Sequence, residues 1–517
     1  MSISSLLQRS LSGWLLALLL ALPAYSQTIE DGLRMSERNP AVGVRMVGLS
    51  GAGMYAGIAD FSSLFANPAG LAYFSASQFS GSLSGVNTED DVLYQTPNFS
   101  ERQSRDLRNT TLGNVAYVHR VPTRRGSLVV AGSLHRTASF DRSLAFGASN
   151  QTSSVTDIFM PFDSDYEVRE DDQGYYPYFF RDLSALAYEG GAIEFFPEHV
   201  DTGLPLFDQA VLGGTRIDQQ GLVLEEGGIT EMSFGGAVEA AQGVMVGLSA
   251  NILFGTYHFS SILEEIDAFG ENEDYTVALD DGLLVGLDFL TYEQGFESQL
   301  VGVNLRGGVS GEIVPGVRMG VSVETPTFKG ITEDYWENVE TVFLEGGSLA
   351  SSRDGSFDYS ITTPWKLGLG FAYQAGGLTA GIDAEFVDWA QMRFDADIDQ
   401  AYFDGLNRDV RDAFDPVVNV RAGAEYRLGS VALRGGLAHQ PDPRSNATAT
   451  AGDLVDRGKT TVSAGLGYRF TDQFSIDFAW ARQQFDDFYR PYVVADGPVA
   501  EETVTRDRFM VGFSVTL

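Results

Sequence analysis

The 517-residue sequence contains no cysteine, few basic residues and no long apolar run beyond its N-terminus. Without cysteine, a disulfide scaffold, thiol catalysis and cysteine-ligated zinc are excluded. The 34 lysines and arginines against 70 aspartates and glutamates give a formal net charge of −36, which argues against nucleic acid as a partner because its phosphates would be repelled. After residue 26 no stretch approaches 18 apolar residues, so we expect no transmembrane helix.

The first 26 residues have the three parts of a secretory signal peptide. Arg9 precedes an apolar run over 14–22, and Ala24 and Ser26 place small residues at the −3 and −1 positions of a cleavage site. The run is too short for the alternative, a helical membrane anchor. Gln27 instead of Cys after the expected cut argues against a lipoprotein, so residues 1–26 are predicted to be removed.

An exported chain without a transmembrane helix is either soluble or a membrane β-barrel, because only helices and closed barrels satisfy every backbone group in lipid. The 58 glycines and 12% aromatic residues favour the barrel. The last strand shows the expected period of two. It sets Phe509, Val511, Phe513 and Val515 against small or polar neighbours, which is the pattern of a lipid-facing wall.

The same pattern predicts an all-β transmembrane antiparallel barrel of about fourteen strands. The predicted strands are 73–86, 111–122, 127–140, 229–241, 244–262, 296–311, 316–330, 356–373, 377–395, 415–428, 430–440, 459–470, 473–486 and 505–517.

Short and long connections alternate along this prediction. The long ones are about 87–110, 141–228, 263–295, 331–355, 396–414, 441–458 and 487–504. Outer-membrane barrels have short periplasmic turns and long outer loops, so both termini are expected in the periplasm, an arrangement that a soluble β-sandwich would not need. The apolar segment 274–292 is assigned to a loop, because counting it as a strand would break the parity.

Residues 27–70 do not fit the wall pattern. Five glycines between residues 43 and 57 lead to the element Asn67-Pro68-Ala69-Gly70. A segment this irregular cannot face lipid, so it is predicted to be a plug inside the barrel formed by residues 71–517.

The segment 48–71 (GLSGAGMYAGIADFSSLFANPAGL) resembles the N-terminal hatch of the FadL/TodX family of outer-membrane transporters of hydrophobic compounds. Segments 363–373 (TPWKLGLGFAY), 383–389 (DAEFVDW), 421–437 and 463–480 are also similar to this family. The resemblance implies a fourteen-stranded barrel closed by a hatch, in the bacterial outer membrane. It implies passive uptake of long-chain fatty acids or similar molecules through outer-loop capture, a lumenal pocket and a lateral exit beside the hatch.

On this resemblance, the gating residues are Asn67, Pro68, Ala69 and Gly70, with an inward kink of the third strand near Gly132. The implied partners are a hydrophobic small-molecule ligand, outer-membrane lipid and the barrel-assembly machinery, with the chain as a monomer. No cofactor, metal or enzymatic activity is expected.

Two features depart from the family. The chain ends in Leu517 where these barrels commonly end in an aromatic residue, and the loop 141–228 is unusually long. That loop carries an aromatic run that could capture ligand or could pack a small core of its own. The run comprises Tyr175, Tyr176, Tyr178, Phe179 and Phe180.

Other functions remain as alternatives. An accessory barrel of the same fold, structural or active in secretion, should lack a continuous apolar pocket. A general diffusion pore would need an open, water-filled lumen, and the predicted plug would close it. The run Gly51-x-Gly53-x-x-Ala56 lacks the βαβ context of a dinucleotide site, and the five histidines show no metal-ligand spacing. A hydrolase site at one rim is a further possibility that the sequence leaves open.

Overall fold

The computed structural model describes residues 28–172, 174–279, 282–397, 400–445 and 455–517. The predicted signal peptide lies outside these residues. The described chain forms a barrel of fourteen antiparallel strands, which confirms the prediction. The wall strands are β1 (Gln78–Gln95), β2 (Ser100–Val121), β3 (Leu128–Ser139 and Arg142–Asn150), β4 (Ile217–Ala241), β5 (Val244–Ile266), β6 (Gly282–Val314), β7 (Val317–Glu324 and Phe328–Glu345), β8 (Ser348–Thr362 and Lys366–Ala375), β9 (Leu378–Asp388), β10 (Pro416–Leu428), β11 (Val431–Gln440), β12 (Lys459–Arg469), β13 (Phe474–Tyr489) and β14 (Val499–Thr516).

The barrel closes between its first and last strands. β1 pairs with β2 on one side and with β14 on the other, from Gln78 opposite Thr516 to Gln95 opposite Val499. Closure leaves no sheet edge in the lipid-facing part of the wall, as a membrane-spanning sheet requires.

The helices are not part of the barrel wall. They are α1 (Ile29–Ser36), α2 (Val44–Val47), α3 (Thr156–Phe159), α4 (Asp182–Glu189) and α5 (Gln400–Ala413), with 3₁₀ turns at Phe61–Leu64, Pro68–Tyr73, Pro197–His199 and Trp389–Gln391. Among the described residues no helix is long and apolar enough to span a membrane.

The outside of the barrel carries an apolar belt. Each of the fourteen strands presents at least one large, exposed apolar side chain outwards. On β14 these are Phe509, Val511 and Phe513, while Met510 between them is buried inside. The lipid-facing parity that we predicted for this strand is therefore the observed one.

Several predicted outer loops are strand instead. The segment 87–110 continues β1 and β2 as a hairpin with a four-residue turn at 96–99, and 331–355 continues β7 and β8 around Gly346-Gly347. These predictions were wrong because the hairpins rise beyond the belt. Their outward residues are polar there, so the hydrophobic alternation ends while the backbone pairing continues.

The apolar segment 274–292 was also assigned wrongly. Residues from Gly282 onwards belong to β6, and Thr276–Leu279 forms a short strand paired to its beginning. The strand count stays even because this segment lengthens a strand already counted.

The long outer connection is shorter than predicted and packs against the outer parts of the wall strands. Its ends, 142–150 and 217–228, belong to β3 and β4, which leaves residues 151–216. This segment contains α3, α4, a hairpin of Tyr166–Asp171 with Gly174–Phe179, and a small pair of strands, Ile193–Phe195 with Phe207–Gln209. Phe195 and Phe207 are buried in a cluster that the segment shares with wall residues such as Phe146 and Leu290, so the segment packs on the wall strands.

Candidate functional site

The N-terminal segment lies inside the barrel. Its residues contact inward-facing positions on the wall strands from β2 to β14, which only a position within the closed wall allows. Leu49, Tyr55 and Phe65 are each 2% exposed or less. We refer to residues 28–77 as the plug.

Wall glycines make room for the plug. A Cβ added at any of these positions would lie within 3.0 Å of plug atoms, so a larger residue would collide with the plug. The positions are Gly235, Gly247, Gly308, Gly320, Gly368, Gly370, Gly381, Gly423, Gly436 and Gly512. This accounts for much of the glycine content that the sequence shows in strand interiors, where glycine otherwise weakens a strand.

Asn67 is the buried anchor of the predicted gating element. Its Nδ2 donates to the carbonyl oxygens of Tyr55 (2.6 Å) and Val309 (3.2 Å), and its Oδ1 accepts from the Ala69 amide (3.1 Å). Asn67 also caps the 3₁₀ turn Pro68–Tyr73, with Pro68 at its first position.

The location of Asn67 differs from our expectation. Its side chain lies against β6 and β7, in the niche left by Gly308 and Gly320, and not beside β3. Pro68 and Ala69 lie over Gly247 of β5, and Gly70 packs within the plug against Ser63.

A buried ion network joins the plug to the wall. Plug Arg38 contacts Glu324 (2.6 Å) and Glu385 (2.6 Å). Arg306, which is 1% exposed, contacts Glu324 (2.8 Å) and Glu231 (3.1 Å) and also donates to the Leu64 carbonyl of the plug. Removing one member of such a network leaves a charge buried without compensation, so the network holds the plug in one position.

More groups join the same network. Arg421 contacts Glu385 at 3.2 Å, Lys366 lies 3.8 Å from Glu324, and the Tyr55 hydroxyl donates to Glu385. Lys329 donates to the carbonyl of Met35 at the end of α1. Sequence reasoning missed these residues. Their one signal is a charged side chain at the inward position of an otherwise apolar or small-residue strand.

β3 is interrupted at Phe140 and Asp141, where the strand bends inwards. It pairs with β2 over eight residue pairs only, from Leu128–Val121 to His135–Asn114. After Phe140 and Asp141 its second segment runs inside the barrel. There Thr88 of β1 donates to the Asp141 carbonyl at 2.9 Å. Above His135, β2 and β3 are therefore unpaired in the described chain.

The kink is not at Gly132. Gly132 pairs regularly with Tyr117 and Phe234 and lies on the outward face with Val130. The bend is accommodated on β4, where Gly227 and Gly228 have φ of +110° and +152°, a region that favours glycine. The sequence prediction failed because the bend follows Ser139, seven residues after Gly132, and its glycines lie on the neighbouring strand β4.

A cavity of about 530 Å³ lies between α1 and the outer parts of the wall. Phe140, at the interruption of β3, forms one end of its apolar side. Phe296 and Phe259 line the same cavity, with ring centroids 5.3 Å apart. The buried ring of Tyr257 packs behind Phe140 and Phe296, with centroids 5.1 and 5.5 Å away.

The opposite side of the cavity is charged. Eight cationic and seven anionic side chains line the cavity as a whole, and most of them are paired. Arg444 contacts Glu30 of α1 bidentately, and Arg457 contacts Asp487 at 2.8 Å. Among the described residues, Arg506 has no carboxylate within 4.0 Å and donates only to Thr88 Oγ1 at 3.4 Å. The cavity is thus amphipathic, and Arg506 is a cation in its lining that makes no close ion pair in the described chain.

The predicted capture residues lie elsewhere. None of Tyr175, Tyr176, Tyr178, Phe179 and Phe180 lines the cavity. Phe179 packs inside the outer segment 151–216, 5.7 Å from Phe207, whereas the other four are exposed on its hairpin.

A second cavity, also about 530 Å³, opens at the end of the barrel with short turns. It is polar, with Arg318, Arg434 and Asp477 in its lining, and the plug lies between it and the outer cavity. Among the described residues, no group of three metal-ligating side chains is found.

Comparisons with known proteins agree with this architecture. No protein-family model and no curated protein sequence matches the chain. Its fold is similar to the crystal structure of a Pseudomonas aeruginosa FadL homologue, with a TM-score of 0.53 and 13% identity over 92% of this chain and 98% of that chain. It is also similar to the Pseudomonas putida toluene transporter TodX, with a TM-score of 0.52 and 12% identity over 93% and 99% of the two chains. The chain therefore has the fold of the FadL and TodX barrels, as the sequence resemblance predicted.

Proposed function

We propose that the protein is a passive transporter in the bacterial outer membrane for hydrophobic small molecules that carry an anionic group, such as long-chain fatty acids. The observation that supports this function most directly is the amphipathic cavity, with a wall of aromatic rings on one side and Arg506 on the other. Its volume is in the range of small-ligand sites. The outward apolar belt supports the location, and the short turns support both termini in the periplasm.

The two sides of the cavity contribute differently. Apolar burial gives roughly 0.8 kcal/mol per CH₂, so an alkyl chain along Phe140, Phe296 and Phe259 would be held with useful but reversible affinity. Arg506 gives the anionic end of the ligand a place to bind. Most of the remaining cations already contact carboxylates, so they add little attraction.

The route out of the cavity is the second part of the proposal. The plug and its ion network close the axial route. The unpaired stretch between β2 and β3 begins beside Phe140, so a ligand leaving the cavity there would pass sideways through the wall. The Asn-Pro-Ala-Gly element would act by fixing the plug against β5, β6 and β7.

The test is uptake of labelled oleate by cells that express each variant, with heat-modifiable gel mobility to confirm folding. We expect Phe140→Ala to lower uptake of oleate and of toluene, the ligand of TodX, while Arg506→Gln lowers oleate uptake alone. Arg482→Gln, at an exposed pair with Asp507, is the matched control. Asn67→Ala is expected to leave a folded barrel with altered uptake. Failure of wild-type cells to take up oleate would refute the proposal.

A second candidate, an accessory barrel that does not transport lipids, is favoured by one observation. The cavity carries fifteen ionisable side chains, more than an apolar conduit needs. This candidate predicts that wild-type and Phe140→Ala cells take up oleate at the same background rate.

A further inference from the structure

The outer hairpin Tyr166–Asp171 with Gly174–Phe179 presents a flat aromatic face to the outside. The pairing places Tyr178 opposite Glu167 and Tyr176 opposite Arg169, with all four side chains on one side. Phe180 continues the row, 5.6 Å from the ring of Tyr178. Tyr176, Tyr178 and Phe180 are 39%, 44% and 58% exposed, so this face is uncovered in the described chain.

The other face of the hairpin explains why the rings stay in place. Tyr166 and Phe179 pack on Phe207, with centroids 4.9 and 5.7 Å away, and so attach the hairpin to the core of the outer segment. Pro177 lies within the second strand and removes a backbone donor from its edge. Strand addition at that edge is therefore disfavoured, and the ring face is the surface that remains for a partner.

The surroundings of the rings are acidic. Residues 163–172 contain six carboxylates, and Arg169 is the one cation among them. The acidic members are Asp163, Asp165, Glu167, Glu170, Asp171 and Asp172. This charge, on a chain of formal charge −36, repels anionic glycans and attracts cations.

Two arginines of the outer segment, Arg169 and Arg216, already stack on aromatic rings at this end of the molecule. The guanidinium of Arg169 lies 3.5 Å from the centroid of the Tyr178 ring. Arg216 lies between Phe99 and Phe269, at 4.7 and 4.0 Å from their centroids. Arginine stacked on an aromatic face is thus a recurring contact at this end of the molecule, and an arginine is favoured over a lysine because its planar group stacks.

We propose that this hairpin face is a docking site for an arginine-rich peptide or protein segment outside the cell. Guanidinium groups stack on Tyr176 and on the free parts of Tyr178 and Phe180, while the flanking carboxylates supply the opposite charge. The site is separate from the transport cavity, because none of its residues lines that cavity.

The experiment measures binding of the full-length detergent-solubilised protein to two fluorescent nonapeptides that alternate arginine or lysine with glycine. We expect the arginine peptide to bind at least fivefold more tightly than the lysine peptide. Tyr176→Ala with Tyr178→Ala should weaken binding at least tenfold, whereas Tyr176→Phe with Tyr178→Phe should leave it within twofold. Arg169→Ala should strengthen binding, because it frees a ring face and removes a competing charge.

Three outcomes would overturn the proposal. One is equal affinity for the two peptides. Another is a loss of affinity for the arginine peptide in Glu101→Gln with Asp106→Asn, on the separate β1–β2 hairpin, that equals the loss in Tyr176→Ala with Tyr178→Ala. Such a result would indicate a general effect of surface charge. The third is ring-dependent binding of lipopolysaccharide or a neutral glucan without binding of the arginine peptide. Heat-modifiable mobility confirms that each variant is folded.

Discussion

Glu324 is the side chain on which the attachment of the plug depends most. It is 5% exposed and contacts Arg306 (2.8 Å), Arg38 (2.6 Å) and Lys366 (3.8 Å). Glu324→Gln keeps the shape and one acceptor oxygen but removes the charge. Breaking a buried network of this kind costs about 3–5 kcal/mol. We take about 3 kcal/mol, because Arg306 and Arg38 retain Glu231 and Glu385.

The substitution should destabilise the bound position of the plug and leave the stability of the wall nearly unchanged. Most neighbouring wall strands are joined by backbone ladders, whereas the plug is joined to them mainly by side chains, with few backbone bonds such as the one from the Asn39 amide to the Thr137 carbonyl. Since 1.4 kcal/mol is a tenfold change in an equilibrium, about 3 kcal/mol should raise the displaced population of the plug about 100-fold.

The assay uses the absence of native cysteine. Ser63→Cys places one thiol in the plug at a position that is 1% exposed. Maleimide should label this thiol about 100-fold faster in the Glu324→Gln background, with heat-modifiable mobility unchanged. Asp507→Asn, which breaks the exposed pair with Arg482, is the control and should change the rate by less than a few fold. An unchanged rate in Glu324→Gln, or loss of the folded barrel together with labelling, would refute the reasoning.

Three further predictions test the wall, the orientation and the outer segment. Val511→Arg on the lipid face should destabilise the barrel by about 2–4 kcal/mol in a folding titration, whereas Ser514→Arg, towards the lumen, should be mild; equal effects would contradict the assigned faces. A protease site inserted in 441–458 should be cut on intact cells and one in 374–376 should be protected, and the reverse would place the termini outside. Burial raises the pKa of Glu194 to about 7, so ionisation between pH 4.5 and 7 destabilises the outer segment. In the wild type the stability of the outer segment should fall by about 1–2 kcal/mol between pH 5 and pH 8, as measured by its rate of proteolysis, and Glu194→Gln should remove this fall. A wild-type proteolysis rate that does not change with pH would contradict this prediction.

The barrel was predictable from the sequence because the alternation of lipid-facing and inward-facing side chains can be seen within each strand alone. Along β14 and its neighbours a period of two distinguishes the side that faces lipid, and the short turns at one end of the barrel follow from glycine and polar residues. The count of fourteen strands and the plug before β1 follow from the same information. The hatch element at Asn67 was identified from the resemblance of residues 48–71 to the hatch of the FadL/TodX family, and not from a periodic pattern.

The ends of the strands were not predictable in this way. Beyond the belt, water lies on the outside of the wall, so the outward residues of 87–110 and 331–355 are polar and carry no periodic signal. Backbone pairing continues there because hydrogen bonds between strands do not depend on side-chain polarity.

The sequence by itself determined the membrane-facing half of this protein, because lipid imposes the same requirement on every strand. Only the tertiary structure decided the interior. The partners of Arg38, Arg306 and Glu324 are brought together from strands far apart in the chain, and the bend of β3 at Phe140 depends on glycines of β4. These contacts form only when the barrel closes around the plug. Because they join residues that are distant in the sequence, they produce no periodic pattern from which they could be predicted.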